Sequence, residues 1–275
     1  MADVVFEKRP DGVGLITLNR PESLNAMGGQ LIPMLGEYLS ECAQDRDVRC
    51  VAVTGAGRGF CAGGDVKGMQ VRNTSTGGAG SEPPNPIMSM ERSVNELRGW
   101  HNSTALLLHT MGKPTVALVN GVAAGAGMSV ALSCDIRLAS DTARFTTAFR
   151  NVGLSGDFGG SYFLQRLVGT GKARELYFSA EIINAQAALD LGIVNRVIPH
   201  DRFLDEGLAF CAKLAAGPTA TYARMKANLE LAERSTLQDV LDQEALNMRI
   251  SGASKDSREA VRAFVEKRDP IFVGE

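Results

Sequence analysis

The sequence predicts an α/β fold built on a parallel sheet, followed by an all-helical tail. Three observations predict it. Short apolar runs such as Cys50–Thr54 and Thr115–Asn120 alternate with stretches of helical spacing as far as Pro199, the pattern of strands joined by helical crossovers. Two of these runs pass through glycine-rich turns directly into helices. From Asp201 to Lys267 only helical spacing is left. The chain therefore divides into a core, residues 1–200, and a helical C-terminal region, residues 201–275.

Each element has its own reason. Val4–Lys8 and Val13–Asn19 flank Pro10–Gly12 and read as a hairpin. Between Gln30 and Cys42, apolar residues fall at Leu31, Met34, Leu35, Tyr38, Leu39 and Cys42. That is helical spacing, with Pro33 tolerated near the start. Cys50–Thr54 is a buried strand and Gly55–Gly64 a glycine-rich loop. Val71–Pro86 gathers Gly, Ser, Thr, Asn and Pro, a composition expected of a mobile surface loop. Ile87–Met111 reads as a long helix, Thr115–Asn120 as a second buried strand and Gly121–Gly127 as a tight turn. Met128–Ser133 continues as a helix, and Asp135–Ala139 is a third strand. In the tail a break falls near Gly217–Pro218. The sequence shows no internal repeat.

Of the 275 residues 44% are hydrophobic, enough to bury a large core. With 22% charged residues and a net charge of −2, there is no electrostatic case for a nucleic-acid or membrane partner. The five cysteines (Cys42, Cys50, Cys61, Cys134, Cys211) include no C-x-x-C pair. They are expected to be free thiols in a reducing compartment, with no disulfide framework and no metal site. The N-terminus carries charge early and has no apolar signal region, so a cytoplasmic protein is expected.

The chemistry concentrates in two segments, CVAVTGAGRGFCAGGDV (residues 50–66) and TVALVNGVAAGAGMSVALSCDI (residues 115–136). Each is a strand, a small-residue turn and a helix start. A helix start presents unpaired N–H groups and the positive end of the helix dipole, and glycine lets a ligand approach that backbone. Two such turns face to face could aim two N–H groups at one oxygen, an oxyanion hole. Taken singly, either turn is more often explained by plain packing. Neither contains G-x-G-x-x-G, and no P-loop motif occurs.

Over nearly its full length the chain resembles the enoyl-CoA hydratase/isomerase (crotonase) superfamily. The stretches that carry the resemblance are LITLNRPESLNAM, GRGFCAGGDVK, KPTVALVNGVAAGAGMSVALSCDIRLAS, GGSYFLQRLVG and AFVEKRDPIF. The resemblance implies a spiral of ββα units, a helical C-terminal trimerisation region and a homotrimer or dimer of trimers. It also implies an acyl-CoA thioester substrate, coenzyme A entering as part of that substrate, and no prosthetic group. Gly64 matches the first oxyanion donor of the family, and Ala126 matches the second, usually a glycine. Ser23, Leu24, Ala26, Ala62, Asp65 and Val66 match positions lining coenzyme A. Phe264 and Lys267 match residues that reach it across a subunit interface. By loose analogy Met90, Trp100, Val122, Ser129, Phe149 and Phe158 wall the acyl pocket, capped by Val71–Pro86.

The departures bear on the reaction. Family hydratases use two glutamates, and these positions fall on Ser129 and Phe149. An ordinary hydroxyl is a poor base and a phenyl ring cannot titrate, so the two-glutamate mechanism has lost both of its groups. Asp157, in G-L-x-x-D-x-G-G, resembles the catalytic Asp of the enoyl-CoA isomerase branch. Haloaryl-CoA dehalogenases place a nucleophilic Asp there too, with an indole where Phe149 stands and a histidine nearby. None of His101, His109 and His200 is close in sequence to Asp157, and all three are expected to be structural. The plain alternative for Asp157 is a helix N-cap. An isomerase is thus the leading expectation, with a non-standard hydratase or a non-catalytic acyl-CoA binder as alternatives. A serine-hydrolase elbow at Gly127–Ala131 ends in alanine and would leave only His200 after the serine.

Overall fold

A computed structural model describes residues 2–66, 68 and 86–275. The loop expected at Val71–Pro86 lies outside the described residues, apart from Pro86 at its end. β1 (Val4–Lys8) and β2 (Val13–Leu18) form the expected hairpin, in register from Val4↔Leu18 to Lys8↔Gly14. β3 (Cys50–Gly55), β5 (Thr115–Val119), β7 (Ile136–Ser140) and β10 (Arg196–Ile198) extend it in parallel, giving a six-stranded sheet in the order β1-β2-β3-β5-β7-β10.

A second sheet is the first departure from the sequence reading. β4 (Gly59–Cys61), β6 (Val122–Ala124), β8 (Arg144–Thr146) and β9 (Ile183–Asn184) line up in that order. β4 lies inside the segment read as a loop and β6 inside the segment read as a turn. Three residues flanked by glycine carry too little periodicity to register as a strand. Each long strand β3, β5 and β7 is followed at once by a short one, β4, β6 and β8, in the other sheet. That alternation, with a helix closing each turn, is the ββα spiral.

The large sheet is covered on both faces, which is why its strands read as continuous apolar runs. Val51, Val53, Ala117 and Val119 point into one buried cluster, and Cys50, Ala52, Val116 and Leu118 into another, as period-two alternation requires. α1 (Leu31–Gln44) and α4 (Ala126–Ser133) fill the first side. α7 (Phe203–Ala215) fills the second through Phe203, Cys211 and Ala215. A Cβ at Gly207 would sit 2.9 Å from Leu118, so this glycine sets how closely α7 approaches. α7 falls in the segment read as helical tail, yet it is part of the sheet's cover.

The remaining helices form an arm. α8 (Thr219–Ala232) and α9 (Leu237–Gly252) pack together, with Asn247 Nδ2 donating to Asn228 Oδ1 at 2.6 Å. α10 (Lys255–Glu266) is capped by Ser254. Leu237, Met248, Phe264 and Val265 on α9 and α10 are at least 74% exposed, an apolar face left uncovered by the described residues. Among the described residues no helix is long and apolar enough to cross a membrane.

The long helix expected at Ile87–Met111 is interrupted. α2 (Pro86–His101) runs into a π-helical turn, Asn102–Leu106, before α3 (Leu107–Thr110). Thr104 and Ser103 donate their hydroxyls to the Trp100 carbonyl at 2.6 and 3.3 Å, serving an acceptor beside the widened turn. Such single π-turns recur at functional sites. α5 (Gly160–Ser179), which kinks at Gly169 where φ is +76°, and α6 (Ala185–Asp190) complete the core.

Candidate active site

The two glycine-rich turns meet backbone to backbone. The Met27 N–H donates to Gly63 O at 2.7 Å and the Ala62 N–H to Leu24 O at 2.9 Å, hooking the first turn onto residues 24–27. Gly63 has φ +89°, and a Cβ there would lie 2.7 Å from Ala124 O and 3.5 Å from Ala126 N. A Cβ at Gly127 would overlap Cys61. Only glycine allows this approach. Ala126 is the first residue of α4, after Gly125 at φ +51°. The N–H groups of Gly64 and Ala126 make no backbone hydrogen bond among the described residues. A helix start and an adjoining loop thus offer two free donors side by side.

Six of the residues matched to coenzyme A gather along the same edge. Ser23 ends a 3-10 turn, and Leu24 and Asn25 follow it at φ +52° and +57°. That left-handed pair is held by the buried Asn25 side chain, which accepts from the Arg20 N–H at 2.8 Å and donates to Gly59 O at 2.8 Å. Ala26 is buried and Ala62 half-buried beside it. Asp65 forms an ion pair with Arg20 at 3.4 Å and accepts the Gly68 N–H at 3.0 Å, so its carboxylate orders the loop. Val66 is 51% exposed. Phe264 and Lys267 stand apart from these six, on the arm. Phe264 is 83% exposed, and Lys267 closes α10 at φ +53°.

Ser129 and Phe149 both border the second turn. Ser129 is buried and donates its hydroxyl to Gly125 O at 3.2 Å. A Cβ at Gly160 would overlap its Oγ, so this hydroxyl packs against the start of α5. Phe149 is buried, with its ring edge 3.8 Å from where a Gly125 Cβ would stand, and it stacks on Tyr177 at 6.1 Å and 8°. The Tyr177 hydroxyl has no hydrogen-bond partner among the described residues. Burial pushes it up to about 12, helped by the negative charge of Asp157.

Asp157 is not the cap of α5. The N-cap is Gly159 at φ +74°, with no side-chain cap bond. Asp157 Oδ1 instead accepts the Phe158 N–H at 2.9 Å and meets His101 Nε2. Oδ2 makes no hydrogen bond among the described residues. Phe158 is buried at φ +47°, an unusual conformation for a bulky residue, and its ring stands edge-on to His101 at 5.0 Å.

His101 is the residue sequence reasoning missed. It lies 56 positions before Asp157, and only the fold brings them together. The signal available was its place on the helix after the polar loop. The other two histidines are occupied: His200 Nδ1 bonds Ser140 and Thr142, and His109 faces Glu233 at 3.6 Å. Ser129 therefore has no histidine partner, which removes the serine-hydrolase reading.

A cavity of about 420 Å³ opens at His101 and Phe158. Of the six expected wall residues only Phe158 lines it. Met90 is 66% exposed, and Trp100 packs against the core. Val122 lies in β6, while Ser129 and Phe149 are buried beside the second turn.

Comparison with known proteins bears on the family. A family model described as enoyl-CoA hydratase/isomerase matches residues 8–275. The 1,2-epoxyphenylacetyl-CoA isomerase of Escherichia coli (strain K12) is 36% identical over 274 residues, the whole of both chains. The short-chain-enoyl-CoA hydratase of Clostridium acetobutylicum is 32% identical over 97% of this chain and 95% of its own. A putative enoyl-CoA hydratase from Streptomyces coelicolor A3(2) superimposes with a TM-score of 0.89 at 31% identity, covering 100% of this chain and 95% of that one. With its ββα spiral, its paired glycine-rich turns and a family match over almost all its length, the chain belongs to the enoyl-CoA hydratase/isomerase family.

Proposed function

We propose that the protein moves a double bond in an enoyl-CoA thioester, with Asp157 as the single acid/base. The observation that carries the reading is the Asp157 carboxylate, whose Oδ1 is tied by the Phe158 N–H and His101 while Oδ2 is left without a bond among the described residues. Oδ2 takes a proton from one acyl carbon, and the electron pair delocalises onto the thioester oxygen. The N–H groups of Gly64 and Ala126 hold that oxygen. Oδ2 then returns the same proton to a different carbon, so no water is activated and nothing is gained or lost. Ser129 and Phe149, where two glutamates would serve a hydratase, support this over hydration.

On the same reading Ser23, Leu24, Ala26, Ala62, Asp65 and Val66 line coenzyme A. Phe264 and Lys267 complete that site from a neighbouring subunit of a homotrimer, alone or stacked in pairs. The exposed apolar face of α9 and α10 supports this.

The test is incubation with 3-enoyl-CoA and 2-enoyl-CoA in deuterium oxide, with Asp157→Asn alongside. Double-bond migration is expected, falling roughly 10²–10⁴-fold in the variant. Formation of 3-hydroxyacyl-CoA at comparable rates in both proteins would overturn the reading.

The contact with His101 favours a second reading, in which Asp157 is a nucleophile as in haloaryl-CoA dehalogenases. Asp157 would displace a halide from a ring carbon, and His101 would take a proton from the water that frees the ester. Phe149 lacks the indole N–H those enzymes carry. A single turnover of 4-chlorobenzoyl-CoA in heavy-oxygen water separates the two, since only a nucleophilic Asp157 ends up labelled.

A further inference from the structure

The two oxyanion donors are aimed by different means. A peptide unit is planar and trans, so its C=O and N–H point opposite ways, and whatever holds the carbonyl aims the N–H. For Ala126 the carbonyl of that unit is Gly125 O, which accepts the Ser129 N–H at 3.0 Å and the Ser129 hydroxyl at 3.2 Å, both from α4 itself. For Gly64 it is Gly63 O, and its donor comes from a separate segment, the Met27 N–H at 2.7 Å. Met27 pairs with Gly64 as a parallel bridge, and the Met27 carbonyl accepts the Asp65 N–H at 3.4 Å.

The Met27 N–H belongs in turn to a peptide unit whose carbonyl is Ala26 O. That oxygen accepts the Gly28 N–H at 2.9 Å and Nη1 of Arg20 at 2.8 Å. Two peptide units therefore lie in series between a guanidinium and the Gly64 N–H. The surroundings hold the guanidinium at this contact. It is 18% exposed and faces Asp65 at 3.4 Å and Asp3 at 4.0 Å. A Cβ at Gly28 would stand 2.6 Å from Nη1, so glycine leaves room for it. The Arg20 main chain binds the same edge: its N–H donates to Asn25 Oδ1 at 2.8 Å, and its carbonyl accepts the Asn25 N–H at 2.9 Å.

We propose that Arg20 is a positioning residue of the oxyanion hole, aiming and polarising the Gly64 N–H through the 26–27 and 63–64 peptide units. A charged donor makes the shorter and stronger kind of hydrogen bond, and bonds in a chain strengthen one another by about 10–30% each. The guanidinium draws electrons towards Ala26 O and leaves the Met27 N–H more positive. That N–H does the same to Gly63 O and so to the Gly64 N–H. The carboxylates of Asp65 and Asp3 stand farther from the guanidinium than Ala26 O does, and they hold it in place. This role rests on the reading of Gly64 and Ala126 as oxyanion donors, but not on which bond the enzyme rearranges.

The test reads the bound thioester carbonyl itself. Octanoyl-CoA labelled with heavy carbon at its carbonyl is bound to the wild type, Arg20→Gln and Arg20→Lys, and the labelled stretch is followed by difference infrared spectroscopy. The S-octyl thioether of coenzyme A, which has no carbonyl, reports on the rest of the site through its dissociation constant. The wild type is expected to lower the stretch relative to water. Arg20→Gln, without the charge, should lose at least half of that lowering. Its turnover of enoyl-CoA should fall about tenfold, less than the roughly 10²–10³-fold cost of a missing donor. KM and thioether affinity should stay within about threefold of the wild type. Arg20→Lys keeps the cation and should recover most of the lowering. An unchanged stretch in Arg20→Gln, a thioether affinity that falls along with it, or a lysine variant as poor as the glutamine one would overturn the inference. If the wild type binds no thioester, or binds it without lowering the stretch, the proposed function falls and this inference with it. If the stretch behaves as expected but no double bond migrates, only the reaction is wrong.

Discussion

Substituting Gly63 by alanine tests whether the two turns are held as closely as the backbone geometry requires. Gly63 sits at φ +89°, so a side chain there carries a left-handed penalty of about 1–2 kcal/mol. Its Cβ would also stand 2.7 Å from the Ala124 carbonyl oxygen. A backbone oxygen cannot rotate away, so the overlap adds about 1–3 kcal/mol of overpacking. The total is about 2–5 kcal/mol. Gly153 is the control: its φ is +68°, and a Cβ there would meet nothing within 4 Å. Gly153→Ala should therefore cost only the left-handed share, about 1–2 kcal/mol. Urea unfolding followed by the fluorescence of Trp100, the single tryptophan, gives both values on one scale. Function should diverge further, because the displaced loop carries the neighbouring Gly64 N–H. Misplacing a reacting group by about 1 Å can cost 10²-fold in turnover, whereas Gly153→Ala should leave kcat within about twofold. Equal destabilisation by the two substitutions, or unchanged turnover in Gly63→Ala, would refute the claim that the turns are in backbone contact.

Two further outcomes follow from groups elsewhere. Tyr177→Phe removes a buried hydroxyl that has no partner among the described residues, so it should leave stability unchanged or raise it by about 1 kcal/mol; a loss of that size in urea unfolding would show that the hydroxyl is bonded after all. Glu259 is held down to about 2, first by Arg268, then by the Ile271 N–H and by Arg262. Its folded value lies below the ordinary 4.5, so the contribution is present above that value and is lost as pH falls towards about 2. Hydrogen exchange at the Ile271 amide should accelerate over that window, and constant protection down to about pH 2 would contradict it.

The parts of the fold legible in the sequence are those buried on both faces. Cys50–Thr54 and Thr115–Asn120 read as strands because every residue of β3 and β5 is buried. The second sheet was hidden because its strands are two or three residues long, and two of them, β4 and β6, sit within glycine-rich segments. α7 was assigned to the tail because its amphipathic spacing does not say which surface it will cover. At the site, the two turns were legible from the small residues that close backbone approach demands. The role of Asp157 as something other than a cap was carried by resemblance, and its bond to His101 by neither. A contact across 56 residues leaves no periodic trace, and the π-turn that sets the helix phase has no pattern of its own.

That π-turn has a consequence for how the site can change. Its extra backbone unit turns everything before it by about 100° relative to an unbroken helix. Leu108, after the turn, is buried in the core, and His101, before it, meets Asp157. The two halves thus keep separate rotational settings, one answering to the core and one to the cavity. Deleting a single residue between 102 and 106 would restore an uninterrupted helix, leave Leu108 in place and swing His101 away from Asp157. Across descendants of such a chain, one codon gained or lost here could exchange the partner of the carboxylate while the rest of the protein folds as before.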